Sequence, residues 1–366
     1  MKWWPIIVLA TVLVGVTGFW INQSNQPEPP LLVVMDSPQM AHSQFDPTEI
    51  DAAKLYLEEF PNSPFDIEFF FYDFDQTVTL ARMQQQLDQG RQFFITTQPS
   101  QLAVSSSSLF SERGQRLLIN TSATTTTISG KDDAIVRVIP DLEQEQRFIA
   151  QHIMAQTPQR LLILVDTMNA GYTLAALDVL LAQFEQSPLA AVHVEKINFL
   201  TAELADLTEL INQPWDFLYV LGGDFQPRIG QIGHYFQQQH PQAPLLLTPW
   251  ARSPVILKLL TQSDRPLQMV SHYPWMNESP ELTDYFNRFQ ARFGYEPHFM
   301  AVKVRKALEI LHASIAAVGT HPDAVQQHIL QQRRWDTSVG VVELDEFGDA
   351  QARFHVLDAR TLGASP

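Results

Sequence analysis

The sequence predicts an α/β protein made of two successive β-α-β rounds, each building a mainly parallel sheet with helices on both faces. Three observations lead there. Runs such as Leu161-Leu162-Ile163-Leu164-Val165 are apolar at every position, as strands buried on both faces are. They alternate with longer segments of helical spacing, the pattern of parallel strands joined by crossover helices. And 366 residues exceed one ordinary core, so the alternation divides into two domains behind a leader.

The leader comes first. Met1-Lys2 precedes an apolar run over 3–21, followed by the polar, proline-rich 22–30. About 20 apolar residues suffice to span a bilayer. Residues 1–22 therefore read as a retained membrane anchor, with Trp3, Trp4 and Trp20 at its interfaces, or as a signal peptide cut after Val16-Thr17-Gly18. Residues 23–30 are the linker. Either way, Lys2 on the inner side sends the bulk of the chain across the membrane.

The first round opens with a strand over 31–35. Asp46-Pro47-Thr48-Glu49 then marks a helix start, with Asp as cap, Pro in the first turn and Glu three residues after the cap. Its helix runs towards Phe60. Strands over 67–72, 93–95 and 117–119 alternate with helices over 77–87 and 102–113. The second round begins with a crossing strand over 137–140 and an amphipathic helix over 142–155. Strands follow over 161–166, 192–199, 217–221 and 245–247. Helices near 172–184, 203–211, 229–239 and 254–260 separate them. Three helical patterns come next, over 280–293, 299–318 and 322–331, with no strong strand between them. Residues 339–344 and 352–356 resemble a hairpin around Glu346-Phe347-Gly348-Asp349.

Composition narrows the function. A formal charge of −16 argues against nucleic acid, because phosphate binding needs a basic surface. The absence of cysteine excludes disulfides, thiolate metal sites and cysteine nucleophiles. There is no Gly-x-Ser-x-Gly elbow, no Walker loop, and no His-Glu-x-x-His. The histidines are scattered without carboxylate partners. No catalytic constellation can be assembled, so the chain reads as a non-enzyme with no cofactor and no metal.

Strand ends do better. In open α/β sheets ligands settle at the carboxyl ends of strands, where helix N-termini expose unpaired N–H groups. The strand 117–119 stops in Asn120-Thr121-Ser122-Ala123-Thr124, a hydroxyl-rich loop that serves equally as a ligand cradle or a helix-capping turn. Thr96-Thr97-Gln98-Pro99-Ser100 also follows a strand and opens a helix, where Ser100 can cap that helix or donate to an anion. Gly222-Gly223-Asp224 follows 218–221, and Asp224 is either a capping acid or a seat for a ligand cation. Trp250, in Thr248-Pro249-Trp250, is either a stacking wall or interface packing.

Taken together, Thr96–Ser100, 117–124, the crossover 137–140, Val165-Asp166…Gly171 and Gly222-Gly223 resemble the type I periplasmic solute-binding proteins, especially the branched-chain amino-acid class. So do Phe289-Gln290-Ala291-Arg292-Phe293-Gly294-Tyr295-Glu296-Pro297 before a long helix, and Gly340…Asp345-Glu346-Phe347-Gly348-Asp349. The resemblance covers nearly everything after the linker. It implies two Rossmann-like lobes joined by a three-strand hinge and closing on a small solute. Lobe one is then 31–138 plus 274–337, and lobe two 139–273 plus 338–366. By resemblance, Ser100, Ser122 and Thr124 fall where lobe one holds an amino acid's carboxylate and ammonium. Asp224 falls where lobe two usually presents an aromatic, and Trp250 where amino-acid binders usually carry an acid. Either Asp224 takes the cation, or the guest is not a free α-amino acid. Gln44 or Phe45 is expected at the mouth of lobe one, and Ala170 or Tyr172 at that of lobe two. The implied partners are a small-molecule solute and a membrane permease of the ABC type, or a sensor protein instead. The implied location is the periplasm, tethered to the inner membrane by 3–21 if that segment is uncleaved.

Overall fold

The computed structural model describes residues 31–38, 48–72, 75–186, 189–222, 226–251, 253–262, 264–272 and 279–358. The N-terminal run expected as a signal peptide or anchor lies outside them, as do Gln44, Phe45 and Asp224. Among the described residues no helix is long and apolar enough to cross a membrane.

The described residues from Leu32 onward form one compact unit containing two large sheets. The first has five strands in the order β2-β1-β3-β4-β5. These are β1 (Leu31–Pro38), β2 (Phe65–Tyr72), β3 (Phe93–Thr96), β4 (Leu117–Asn120) and β5 (Ile135–Arg137). β1, β3, β4 and β5 run parallel in unbroken register. Between the strands lie helices α1 (Thr48–Glu59), α2 (Gln76–Asp88) and α3 (Ser100–Ser107). Val34, Phe94 and Leu118 form a single core with Met83 of α2 and Leu102 of α3.

The second sheet has six strands in the order β14-β10-β9-β8-β6-β7. They are β6 (Leu161–Asp166), β7 (Val192–Ile197), β8 (Phe217–Leu221), β9 (Leu245–Leu247), β10 (Leu267–Ser271) and β14 (His355–Asp358). All pair in parallel except β14, which lies antiparallel on β10. Alternate residues of β6 and β8 enter opposite cores. Leu162, Leu164, Leu218 and Val220 face α6 (Leu204–Ile211), α7 (Pro227–Gln239) and α8 (Pro254–Leu260). Leu161, Ile163, Phe217 and Tyr219 face α4 (Leu142–Ala155) and α5 (Ala170–Gln186). Two-sided burial is why these strands read as continuous apolar runs. Each such side chain contributes roughly 1.5–3 kcal/mol.

After β10 the chain returns to the first sheet. Helix α9 (Pro280–Phe293) ties to α1 through Arg288–Glu59 and Arg292–Glu58, and α10 (Met300–Val318) packs along α1. Helix α11 (Pro322–Gln332) then leads into a small antiparallel sheet of β11 (Arg334–Thr337), β12 (Gly340–Leu344) and β13 (Ala350–Gln351). That sheet borders both halves: Lys306 of α10 donates to the Val341 carbonyl at 3.1 Å, and Gln144 of α4 to that of Ala350 at 3.1 Å. The chain thus crosses between the large sheets three times, after β5, β10 and β13.

Arg137 locks two of these crossings together. Its guanidinium is 1% exposed and donates to Asp349 from Nε at 3.0 Å and Nη2 at 2.8 Å. It also donates to the Thr125 carbonyl and the Ser129 hydroxyl.

Three expectations are corrected. The strand expected over 137–140 lies instead at Ile135–Arg137, and 138–140 already belong to the crossing. Strand β10 was not expected, because Gln268 and Ser271 interrupt its apolar pattern. The expected hairpin is split: β12 pairs with β11 and β13, while 355–358 is the antiparallel edge of the second sheet.

Candidate functional site

On the first sheet the carboxyl ends of β1, β3 and β4 carry the polar residues. Asp36, 1% exposed, ends the apolar part of β1. Its carboxylate accepts from the Thr96 hydroxyl (2.7 Å), the Thr97 backbone N–H (2.6 Å) and Gln98 Nε2 (2.7 Å). Gln98 Oε1 in turn accepts from the Ser106 hydroxyl of α3 at 2.7 Å. Burial pushes the Asp36 carboxyl up to about 6, against the lowering effect of these donors. Most of the Thr96–Ser100 stretch therefore serves an internal acid that the sequence reading did not single out. An acid closing an apolar run was the available signal.

Ser100, Ser122 and Thr124 come together. Asn120 Oδ1 accepts from the N–H groups of Ser122 and Ala123, both at 2.9 Å, an Asx turn that fixes the loop. The Thr124 N–H donates to the Ser100 hydroxyl at 3.2 Å. Ser100 is the first residue of α3, whose cap is Pro99 with no side-chain bond, so its hydroxyl serves the neighbouring loop. All three residues are buried, and Thr124 Oγ1 has no hydrogen-bond partner among the described residues.

On the second sheet Trp250 lies in the turn after β9 and is 9% exposed. Tyr172 meets it edge-on at 6.0 Å between ring centroids, and Phe299, just before α10, at 5.6 Å. Tyr172 is buried rather than rim-exposed, and its hydroxyl donates to Glu145 of α4. Gln146 Nε2 also donates to Glu145, at 2.9 Å, and Gln146 Oε1 accepts from the Tyr219 hydroxyl at 3.1 Å. Burial pushes the Glu145 carboxyl up to about 7, against those hydrogen bonds.

Lys303 of α10 completes the group. Its Nζ stands 5.0 Å from the Trp250 ring centroid and 4.6 Å from that of Phe299. The side chain is buried, and Nζ has no hydrogen-bond partner among the described residues. Burial drives the ammonium well below its usual pKa, opposed by the charge of Glu145. Neither Glu145 nor Lys303 was expected at the site. Lys303 follows Phe299 by one helical turn on an apolar face, where a long side chain ordinarily snorkels to water.

Helix α3, which begins at Ser100, touches α5, which carries Tyr172. A Cβ added at Gly171 would lie 3.2 Å from the backbone N and Cα of Gln101, the residue after Ser100. Only a glycine lets the helices approach this closely without a shift. Ser100 and Tyr172 are thus the chain neighbours of one close contact, between Gln101 of α3 and Gly171 of α5. Among the described residues no cluster of His, Asp and Glu could hold a metal ion.

No protein-family model matches the sequence, and no curated protein does. Solved structures match in fold. The leucine-binding protein LivK of Thermotoga maritima superposes with a TM-score of 0.73 at 16% identity, over 90% of this chain and 95% of its own. The branched-chain amino acid transporter substrate-binding protein LivJ of Streptococcus pneumoniae, in complex with isoleucine, gives 0.72 at 12% identity, over 91% and 97%. A solute-binding protein of an ABC transporter from Rhodopseudomonas palustris HaA2, in complex with p-hydroxybenzoic acid, gives 0.74 at 15% identity, over 89% and 92%. The chain has the two-lobed, mainly parallel α/β fold of these substrate-binding proteins.

Proposed function

We propose that this chain captures a small polar solute between two hinged lobes outside the cytoplasm and presents it to an ABC-type permease. The observation that carries the reading is the α3–α5 contact. There Gln101, the residue after Ser100, meets Gly171, the residue before Tyr172. A guest held by both sides favours the closed arrangement by its differential affinity for it, and only by that. A micromolar guest supplies about 8 kcal/mol in total, ample to bias a hinge costing a few.

In this reading 31–138 plus 274–337 move as one lobe and 139–273 plus 338–366 as the other, with Arg137–Asp349 at the pivot. Ser100, Ser122 and Thr124 hold the guest on lobe one, and Trp250 and Tyr172 shape lobe two. No chemistry is performed on the guest. The N-terminal run delivers the chain to the periplasm, as a cleaved signal or a tether to the inner membrane. The second reading is a receptor, sensor or interaction protein of the same fold without a transport role, its pocket no longer that of an amino-acid binder. It is favoured by the apolar Trp250, where amino-acid binders carry an acid.

The test is thermal shift of the purified chain against amino acids, their amides, short peptides and aromatic acids. A rise of several degrees with one chemical class is expected. No rise with any class contradicts capture.

A further inference from the structure

The Lys303 ammonium is held in an environment that opposes its charge in three ways. It is buried without an acceptor among the described residues, and an unpaired buried cation costs several kcal/mol. It belongs to the first turns of α10, a 19-residue helix whose N-terminal dipole repels cations and attracts anions. Lys306 adds like charge from the same helix, and Glu145 of α4 is the acid that opposes it. Asp141, before α4, repels the Glu145 charge, and Tyr172 of α5 and Tyr219 of β8 beside Glu145 are neutral phenols at physiological pH, their hydroxyls raised by burial. The Trp250 and Phe299 rings orient the ammonium through their π faces, but they accept no conventional hydrogen bond. What this arrangement lacks is an acceptor that brings its own negative charge.

We propose that Lys303 is the anion receptor of the cleft: its Nζ takes the carboxylate of a captured organic acid whose flat or branched apolar body lies along Trp250 and Phe299. This rests on the capture reading and adds the substrate class, an apolar monocarboxylic acid. A carboxylate arriving at Nζ supplies the missing acceptor and restores the charged lysine, so binding takes up a proton above the pKa of the unliganded lysine. Affinity then falls as pH rises through that range.

The experiment is calorimetric titration of the full chain with benzoate and 4-methylpentanoate, and with the matching amides, in two buffers of different ionisation enthalpy. Expected results are binding of an acid, at least tenfold weaker binding of its amide, and an acid-binding enthalpy that varies with the buffer's heat of ionisation. Lys303→Met is expected to lose at least tenfold in acid affinity. Its melting temperature without ligand should equal or exceed that of the parent, because the variant buries no polar group left without a partner. Equal binding of acid and amide, a buffer-independent enthalpy, or full acid affinity in Lys303→Met each overturns the proposal while leaving capture standing. The proton-uptake arm uses the parent chain and decides the matter even if the variant does not fold. If neither acids nor amides bind but another solute class does, the anion receptor is wrong and capture is right. If no solute of any class binds, both are wrong.

Discussion

Arg137 and Asp349 show how single residues set the hinge. They are 212 positions apart in sequence and form a buried ion pair with two donors on one carboxylate oxygen. Removing one member of such a pair strands the other's charge, which typically costs about 3–5 kcal/mol. Asp349→Ala is therefore expected to lower unfolding stability by about 3 kcal/mol in a urea titration, discounted slightly because Arg137 keeps its bonds to Thr125 and Ser129. A loss below 1 kcal/mol would show that the pair does not hold the crossings together. At this scale the sequence was partly legible. Hydroxyls at the ends of apolar strands marked Ser100, Ser122 and Thr124 as neighbours, and the fold does bring them together in one buried loop cluster. Glu145 and Lys303 were not legible. Each sits in a helix of ordinary composition, and only tertiary packing decides whether such a charge reaches water or is enclosed.

Among the elements, the strands of the second sheet were the most readable. β6, β8 and β9 have the expected bounds because two-sided burial leaves an apolar residue at every position. β10 escaped notice because Gln268 and Ser271 disguise it, and β11 because Arg334 and Asp336 are exposed on a small surface sheet. The α3–α5 contact also escaped, since helix-to-helix approach leaves no periodic trace beyond a glycine. That contact makes a prediction. Gly171→Val places its side chain against the Gln101 backbone, which cannot swing aside as a side chain can. Overpacking of this kind costs roughly 1–3 kcal/mol, here charged only to the closed arrangement. Solute affinity is expected to drop about tenfold in calorimetry, with the melting temperature of the unliganded chain nearly unchanged. Unaltered affinity would mean that α3 and α5 do not meet on capture.

For the whole molecule, the buried acids set the response to pH. Asp36 is raised from 3.8 to about 6, Asp133 from 3.8 to about 6 and Glu145 from 4.5 to about 7, each chiefly by burial. A carboxyl whose pKa rises on folding holds its proton more tightly in the folded chain. Its contribution is fully present below the unfolded value and is lost as pH climbs through the folded one, here between about pH 4 and 7. Each such acid changes stability by on the order of 2 kcal/mol, and the net charge of −16 pushes the same way. The melting temperature is expected to be several degrees higher at pH 5 than at pH 8, and Glu145→Gln should flatten part of that slope. A profile that rises from pH 5 to 8 contradicts this assignment. At this scale the two-sheet plan was legible throughout, because alternation of apolar runs and helical spacing survives local ambiguity. The expected lobe boundaries depend on the crossings, where the chain is short and polar and says less.

Hinged capture is tested most directly by the distance between the lobes. The chain contains no cysteine, so Gln89→Cys beyond α2 and Gln239→Cys at the end of α7, both exposed, can carry the only two spin labels. Pulsed-resonance distances should form a broad or two-component distribution without solute. A saturating solute identified by thermal shift should collapse it to one shorter component. The same distribution with and without a bound solute would show two rigidly joined lobes and contradict capture by closure.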